Sequence, residues 1–371
     1  MPSTKAMQPV FDLSPDRKKE FATKLLAWFD ANMRPLPWRE SYDPYSVWIS
    51  EIMLQQTQMG RGVTYFNVWM EQFPTLADVA KTDEETIFKA WEGLGYYSRA
   101  RNLHKAAQAI MREHGGTFPR DIAAIRALPG IGDYTAGAIA AIAFNTPEPA
   151  VDANVMRIFA RLCDIDVPLS HPGVKSFITN EVRSLMGDAS PRLFAQALME
   201  LGALVCAKKP ECSACPLVEY CEAQRLGTAG KRPKKKAKIV YSQLEMSTGI
   251  VMRDDLLFIQ KRPPYGVWAG LWEFPGGCLE EEETPEQALV REVVEETELS
   301  VSVGEKVAVI RHSYTTCRVT MHAFFCELLD TGKEPVLHAA VGGKWIPVEE
   351  VGKYAFPAGH RKLLDILGWG K

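Results

Sequence analysis

The chain has 371 residues, 46% of them hydrophobic, enough for two or three domains with apolar cores. No apolar run reaches membrane-spanning length, and the segment from Met1 to Asp16 is short, mixed and polar, so neither a membrane span nor a secretory signal is expected and the protein reads as cytoplasmic. The net charge of −3 hides an asymmetry: residues 1–238 carry 30 Lys and Arg against 26 Asp and Glu, the remainder 13 against 20, so a nucleic-acid face fits the first part better than the second.

Ser14-Pro15 is a helix start, and Phe21, Leu25, Leu26 and Phe29 then recur on one face as a packing stripe. Pro44 opens a second, apolar helix in which Glu51 is the only acid, among Val47, Trp48, Ile49, Ile52, Met53 and Leu54. Such a Glu either lies on one exposed stripe or is buried, with its pKa raised by desolvation, as a general acid. Leu94 to Asn102 combines a glycine turn, two adjacent tyrosines and two arginines before a helix. It is either a structural turn or an aromatic wedge with phosphate-binding cations. Leu128-Pro129-Gly130-Ile131-Gly132 reads as a tight hairpin, and the Ala-rich helix from Asp133 presents its first N–H groups to that turn as an anion site. After Pro147 and Pro149, Asp152 and Asn154 stand at the start of another amphipathic helix, where the dipole favours a carboxylate. Taken singly, these pieces are an ordinary turn and an ordinary cap.

Eight cysteines without a secretion pattern argue for reduced thiols or metal ligation. Cys206, Cys212, Cys215 and Cys221 follow C-x5-C-x2-C-x5-C, four thiolates within sixteen residues; this spacing admits zinc or a [4Fe–4S] cluster. Lys208 and Lys209 in the loop are available for phosphate. Leu226 to Lys238 reads as a solvated basic tether. From Ile239 the pattern turns to short strands around residues 248–251, 256–260, 307–310 and 318–326, with a glycine-rich loop at 266–277 and a helix opened by a Thr284/Gln287 capping box.

The stretch from Leu128 to Arg161 resembles the helix-hairpin-helix DNA glycosylases, in which the hairpin, here Gly130 and Gly132, grips the phosphodiester beside a flipped nucleotide and the Asp, here Asp152, faces the sugar. Where lyases of the endonuclease III type carry a Schiff-base Lys this chain has Tyr134, which cannot form an imine, so the resemblance is to the monofunctional adenine glycosylases of the MutY type. Ser50 to Thr57 matches the motif whose Glu, here Glu51, protonates the purine, with Leu54, Gln55 and Gln56 lining the pocket and the gap in the duplex. The resemblance further implies Trp38 and Arg39 as pocket wall, Tyr96 as wedge, Gln196 as reader of the adenine edge, Tyr134 and Asn154 as orienting groups, and a [4Fe–4S] cluster on the four cysteines. Here the first cluster gap is one residue shorter than the family's.

The C-terminal part resembles a Nudix domain, which these glycosylases use to recognise 8-oxoguanine. Tyr314 and Thr315 replace the aromatic wedge and hydroxyl donor of the family's Phe-Ser-His, while Thr316 is not a His. The Nudix box is nearly complete, with Gly277, Glu283, Arg291, Glu292, Glu295 and Glu296 in place and Glu298 in the position of the last Gly; its carboxylates Glu292, Glu295 and Glu296 form a candidate Mg²⁺ site. The expected architecture is therefore an all-α helix-hairpin-helix glycosylase domain over 13–225 with the cluster loop at 206–221, a basic linker at 226–240, and an α+β Nudix-like domain over 241–371. The expected protein is a monomer acting on double-stranded DNA that carries A opposite 8-oxoguanine or G. Alternatives are an endonuclease III-like lyase on oxidised pyrimidines, or a bifunctional protein with added Nudix hydrolase activity.

Overall fold

The computed structural model describes residues 11–234, 241–314 and 316–369. The chain divides into two compact units, Met1–Lys81 with Lys105–Ala237, and Thr82–His104 with Lys238–Lys371.

The first unit is helical. Several of its helices start where the sequence supplies an acceptor for the orphan N–H groups: Asp43 accepts from the Ser46 N–H at 2.9 Å, Asp121 from Ala124 at 2.8 Å and Asp152 from Val155 at 2.7 Å, each cap contributing about 1 kcal/mol. Phe21, Leu25 and Phe29 of helix Pro15–Asn32 close a core with Val155, Ile158 and Phe159 of helix Ala153–Leu162 and with Phe194, Leu198 and Leu201 of helix Pro191–Leu204. Helix Pro44–Met53 is buried almost throughout, Glu51 included, which removes the exposed-stripe reading of that carboxylate. The hairpin turns at Gly130, whose φ of +76° suits only a residue without Cβ strain. Helix Asp133–Ile142 follows with no side chain capping it, so its first amides stay open to an anion.

The segment 226–234 departs from the tether expected of its composition. Arg232 pairs with Asp164 at 2.8 Å and Asp166 at 2.9 Å, Lys234 with Asp166 at 3.0 Å, and Ala229 is buried. Two aspartates upstream thus offset the charge that suggested a solvated run, and this segment is part of the helical unit. The rest of the basic run, 235–240, lies outside the described residues.

The second unit is built on a mixed sheet of β1 (Ser242–Arg253), β2 (Leu256–Lys261), β3 (Trp272–Glu273), β4 (Val301–Tyr314), β5 (Cys317–Leu328) and β6 (Gly342–Pro347). The order is β3-β2-β1-β5-β4, with β6 on β2; β1 and β5 run parallel and β4 and β5 form a hairpin. Helix Pro285–Thr297 packs Leu289 and Val293 on one set of sheet residues, and helix Ala358–Leu367 packs Leu363 and Leu364 on another. The Thr284/Gln287 capping box forms as expected, and Glu298 itself takes the left-handed turn, φ +55°, that a glycine would have filled.

Residues 82–104, assigned above to the helical domain, cluster with this second unit. Glu92 accepts from the Phe356 N–H at 3.1 Å, Tyr97 donates to the Phe356 carbonyl at 3.5 Å, and Arg101 donates to the Ala269 carbonyl at 2.6 Å. Among the described residues no helix is long and apolar enough to cross a membrane.

Candidate active site

A cavity of about 770 Å³ in the helical unit is lined by Trp38, Arg39, Glu51, Leu54, Gln55, Gln56, Tyr134, Asp152, Asn154 and Gln196. Ten candidates scattered over nearly 160 positions of sequence therefore meet at one site.

Glu51, 8% exposed, is one of the residues lining the cavity. Burial is the largest effect on its carboxyl and pushes the pKa up to about 7, helped by Asp152; the Tyr134 hydroxyl and Arg39 act the other way. The Tyr134 hydroxyl donates to Glu51 Oε2, and burial holds that phenol protonated by raising its own pKa well above the ordinary value. Asp152 is fixed through both oxygens: Oδ1 accepts from the Val155 N–H and Oδ2 from Asn154 Nδ2, each at 2.7 Å. Burial raises its pKa, against the lowering effect of those bonds. Asn154 is oriented in turn by Arg157, which donates to Asn154 Oδ1 and to the Gly202 carbonyl at 2.7 Å and to the Cys206 carbonyl at 2.8 Å. Gly202 must be a glycine: a Cβ there would lie 2.6 Å from that of Asn154. The site thus holds two carboxyls in unlike settings, one poised near neutrality and one ordered by two donors, which is how one pocket separates an acid from an anion.

Sequence reasoning missed Glu200. It is 1% exposed and accepts from Arg34 Nη2 at 3.1 Å and Arg39 Nη2 at 2.9 Å, so Arg39 serves the wall as the partner of a buried carboxylate that arrives from 161 positions away. Gln196 is buried and donates to the Arg192 carbonyl at 3.1 Å. Lys175, another lining residue, has its Nζ on Asp133 at 2.9 Å.

Other candidates stand elsewhere. Gly130 and Gly132 lie on the exposed hairpin, and Lys208 and Lys209 are exposed on the cysteine loop. Tyr96, 43% exposed at φ +49°, belongs to the second unit. In the same unit Tyr314 packs edge-on to Trp268 at 5.5 Å; Thr315 lies outside the described residues. In the Nudix box the carboxylates turn to protein partners. Arg291 reaches Glu283 at 2.8 Å, Glu292 at 3.1 Å and Glu295 at 3.2 Å, while Glu296 accepts from the Gly276 N–H at 3.0 Å and Gln260 at 2.7 Å.

Cys206, Cys212, Cys215 and Cys221 are free thiols lining one small cavity of about 20 Å³ beside Arg161 and Gln224. Burial pushes Cys215 up to about 11 and raises Cys221, as it does any thiol held away from water. The four sulfurs ring the cavity and do not converge on a point: among the described residues no three His, Cys, Asp or Glu stand close enough to hold a single ion.

The family model of the HhH-GPD superfamily base excision DNA repair proteins matches residues 49–169, and that of the NUDIX domain matches 247–365. A thermostable thymine-DNA glycosylase superposes with a TM-score of 0.52 at 28% identity, over 58% of this chain and 100% of that one. Endonuclease III in a non-covalent DNA complex superposes at 0.50 and 22% identity, over 60% and 100%, a likeness of fold alone. The adenine DNA glycosylase of Rattus norvegicus is 31% identical over 93% of this chain and 77% of its own length; that of Homo sapiens is 32% identical over 93% and 73%. Relatives of this last kind align through both units, and on that ground the chain belongs to the adenine DNA glycosylases, enzymes of base excision repair.

Proposed function

We propose that the protein removes adenine opposite 8-oxoguanine, or opposite guanine, by hydrolysis of the N-glycosidic bond without cutting the strand. The observation that carries this reading is the pairing of Glu51, with its pKa near 7, and the ordered Asp152 in one cavity. The hairpin 128–132 binds the phosphate beside the flipped nucleotide through open amides. Glu51, protonated on the acid side of about 7, gives its proton to N7 of the adenine and weakens the bond to the sugar. Asp152 then faces the oxocarbenium-like sugar, its charge fixed by Val155 and Asn154 before any charge develops. Tyr134 holds Glu51 in place. Tyr134 offers no amine where the lyases carry their Schiff-base Lys, which supports a monofunctional reaction over the lyase alternative.

In the second unit, Tyr314 and the 94–97 turn with Tyr96 are the proposed readers of the base opposite. Arg291 and Gln260 already engage much of the box carboxylate, so the box holds Mg²⁺ weakly and serves lesion recognition. The donor set at 206–221 fits a [4Fe–4S] cluster, which when bound would tie that loop together through four iron–thiolate bonds. The test is single-turnover excision from duplexes carrying A opposite 8-oxoguanine, G or T, and separately thymine glycol, with and without hot alkali. Alkali-dependent cleavage at A opposite 8-oxoguanine is expected; alkali-independent cleavage at thymine glycol would favour the lyase.

A further inference from the structure

Glu200 lines the same cavity as Glu51 and Asp152, yet both of its oxygens are taken by arginines. Oε1 accepts from the Arg34 N–H at 3.3 Å, and Oε2 accepts from Arg34 Nη2 at 3.1 Å and Arg39 Nη2 at 2.9 Å. Arg39 is anchored a second time, Nη1 donating to the Arg34 carbonyl at 2.8 Å, while its Nε is buried without an acceptor. Burial pushes the Glu200 carboxyl up, but the bonds and charges of Arg34 and Arg39 outweigh it and hold the pKa below the ordinary value, so Glu200 is ionised. The charges around Glu51 come from every element packed on its helix. Burial, the largest influence, favours the acid; Tyr134 of helix Asp133–Ile142 favours the carboxylate, Asp152 before helix Ala153–Leu162 the acid, and Arg39 of the turn Pro37–Arg39 the carboxylate. Helix Met59–Gln72 brings the uncharged Met59 to the cavity, and Lys175, which also lines it, is paired with Asp133 at 2.9 Å. Arg39 is thus a cation whose charge bears on Glu51, and Glu200 is the carboxylate that holds it.

We infer that Glu200 is a positioning residue for the reaction: by seating Arg39 on the cavity wall and offsetting its charge, it keeps that cation from pairing with Glu51, which therefore retains the proton it delivers. The inference rests on the reading of Glu51 as the acid. With Glu200 neutralised, Arg34 and Arg39 become two cations sharing no counter-charge in a largely buried place, a costly arrangement. Arg39, its side chain 9% exposed and its Nε already without an acceptor, then turns to the other carboxyls of the cavity, Glu51 and Asp152. Either pairing acts in one direction. A guanidinium on Glu51 favours its carboxylate directly, and one on Asp152 offsets the charge that supports the Glu51 acid. The proton donor is therefore lost at lower pH.

The experiment uses the full-length protein and follows single-turnover excision of A opposite 8-oxoguanine as a function of pH. Glu200→Gln keeps the shape and loses the charge; its alkaline limb should lie about one unit below that of the unsubstituted protein, the scale of an opposite charge placed beside a carboxyl. Its rate relative to the unsubstituted protein should then fall about tenfold further at pH 8 than at pH 5. Glu200→Asp retains the charge and should keep the limb near its original place, whatever it does to the rate. Arg39→Gln should move the limb up, and in that background the Glu200→Gln shift should shrink by about half or more, since coupled residues are not additive. A rate lowered equally at all pH values in Glu200→Gln marks a merely structural role and overturns the inference, as does an undiminished shift in the Arg39→Gln background. Should Glu200→Gln fail to fold, Arg39→Gln alone decides: a limb left in place shows that Arg39 does not act on the acid. Unsubstituted protein that excises adenine with no alkaline limb around pH 7 overturns the reading of Glu51 beneath the inference, an outcome recognised before any variant is made.

Discussion

Replacing Tyr134 with Phe removes one hydroxyl and leaves the ring that lines the cavity. That hydroxyl donates to Glu51 Oε2 and lowers a carboxyl which burial has pushed up to about 7. A hydrogen bond to a charged group contributes about 1.5 to 3 kcal/mol, and one pKa unit corresponds to about 1.4 kcal/mol, so its loss should raise the Glu51 pKa by about one to two units. The sign follows from which form is stabilised: the phenol supports the carboxylate, so without it the acid form persists to higher pH. In unsubstituted protein the single-turnover rate on A opposite 8-oxoguanine should fall as pH rises through about 7, when the proton donor is lost. In Tyr134→Phe this alkaline limb should move up, to about 8 to 9. The assay is alkali-developed strand cleavage under excess enzyme from pH 5 to about 9.5. An alkaline limb that stays in place, or moves to lower pH, would refute the assignment of Glu51 as the titrating acid. Uniform loss of rate at every pH would show instead that the phenol acts on the sugar.

Glu51→Gln should be inactive at all pH values yet more stable than unsubstituted protein at pH 8. The folded pKa of Glu51 lies above its ordinary 4.5, so its contribution is fully present below about 4.5 and lost as pH rises through about 7, at a cost of up to about 3 kcal/mol; denaturant melts at pH 5 and 8 should show the difference only at the higher pH. Asp152→Asn should retain binding to the mispair by gel shift while excision falls by about two to three orders of magnitude, as when an electrostatic stabiliser is removed; near-normal excision would take Asp152 out of the reaction. Full-length protein with Mg²⁺ and 8-oxo-dGTP should release no pyrophosphate above a Glu295→Gln, Glu296→Gln control, and release by the unsubstituted protein alone would make the chain bifunctional.

What could be read in the sequence was local. Asp152 was identifiable because a carboxylate before an amphipathic helix has a mechanical role, and its bond to the Val155 N–H is that role. Glu51 stood out as an acid in an apolar run, but only packing distinguishes an exposed stripe from a buried helix. Glu200 left no trace, because its burial depends on two arginines more than 160 positions away. The composition of 226–234 pointed the wrong way: charge density reads as solvation until its partners, here Asp164 and Asp166, are known. Likewise 82–104 carries helical patterns that fit either unit, and its assignment rests on contacts with residues such as Phe356 and Ala269.

Those contacts have a consequence for how the chain comes to be folded as it is made. The Glu92 and Tyr97 bonds to Phe356 span 264 and 259 positions, so they cannot form until the last strand and helix of the sheet unit have left the ribosome. Until then the apolar side chains Phe88 and Trp91, buried in the finished protein, have only near neighbours such as Tyr97 and Arg99 to cover them. Synthesis at about 5 to 20 residues per second leaves this segment waiting for roughly ten seconds or more. It is a candidate stretch for chaperone binding and for aggregation in truncated chains, and chains that end before the sheet unit should be recovered poorly even when their cavity residues are all present.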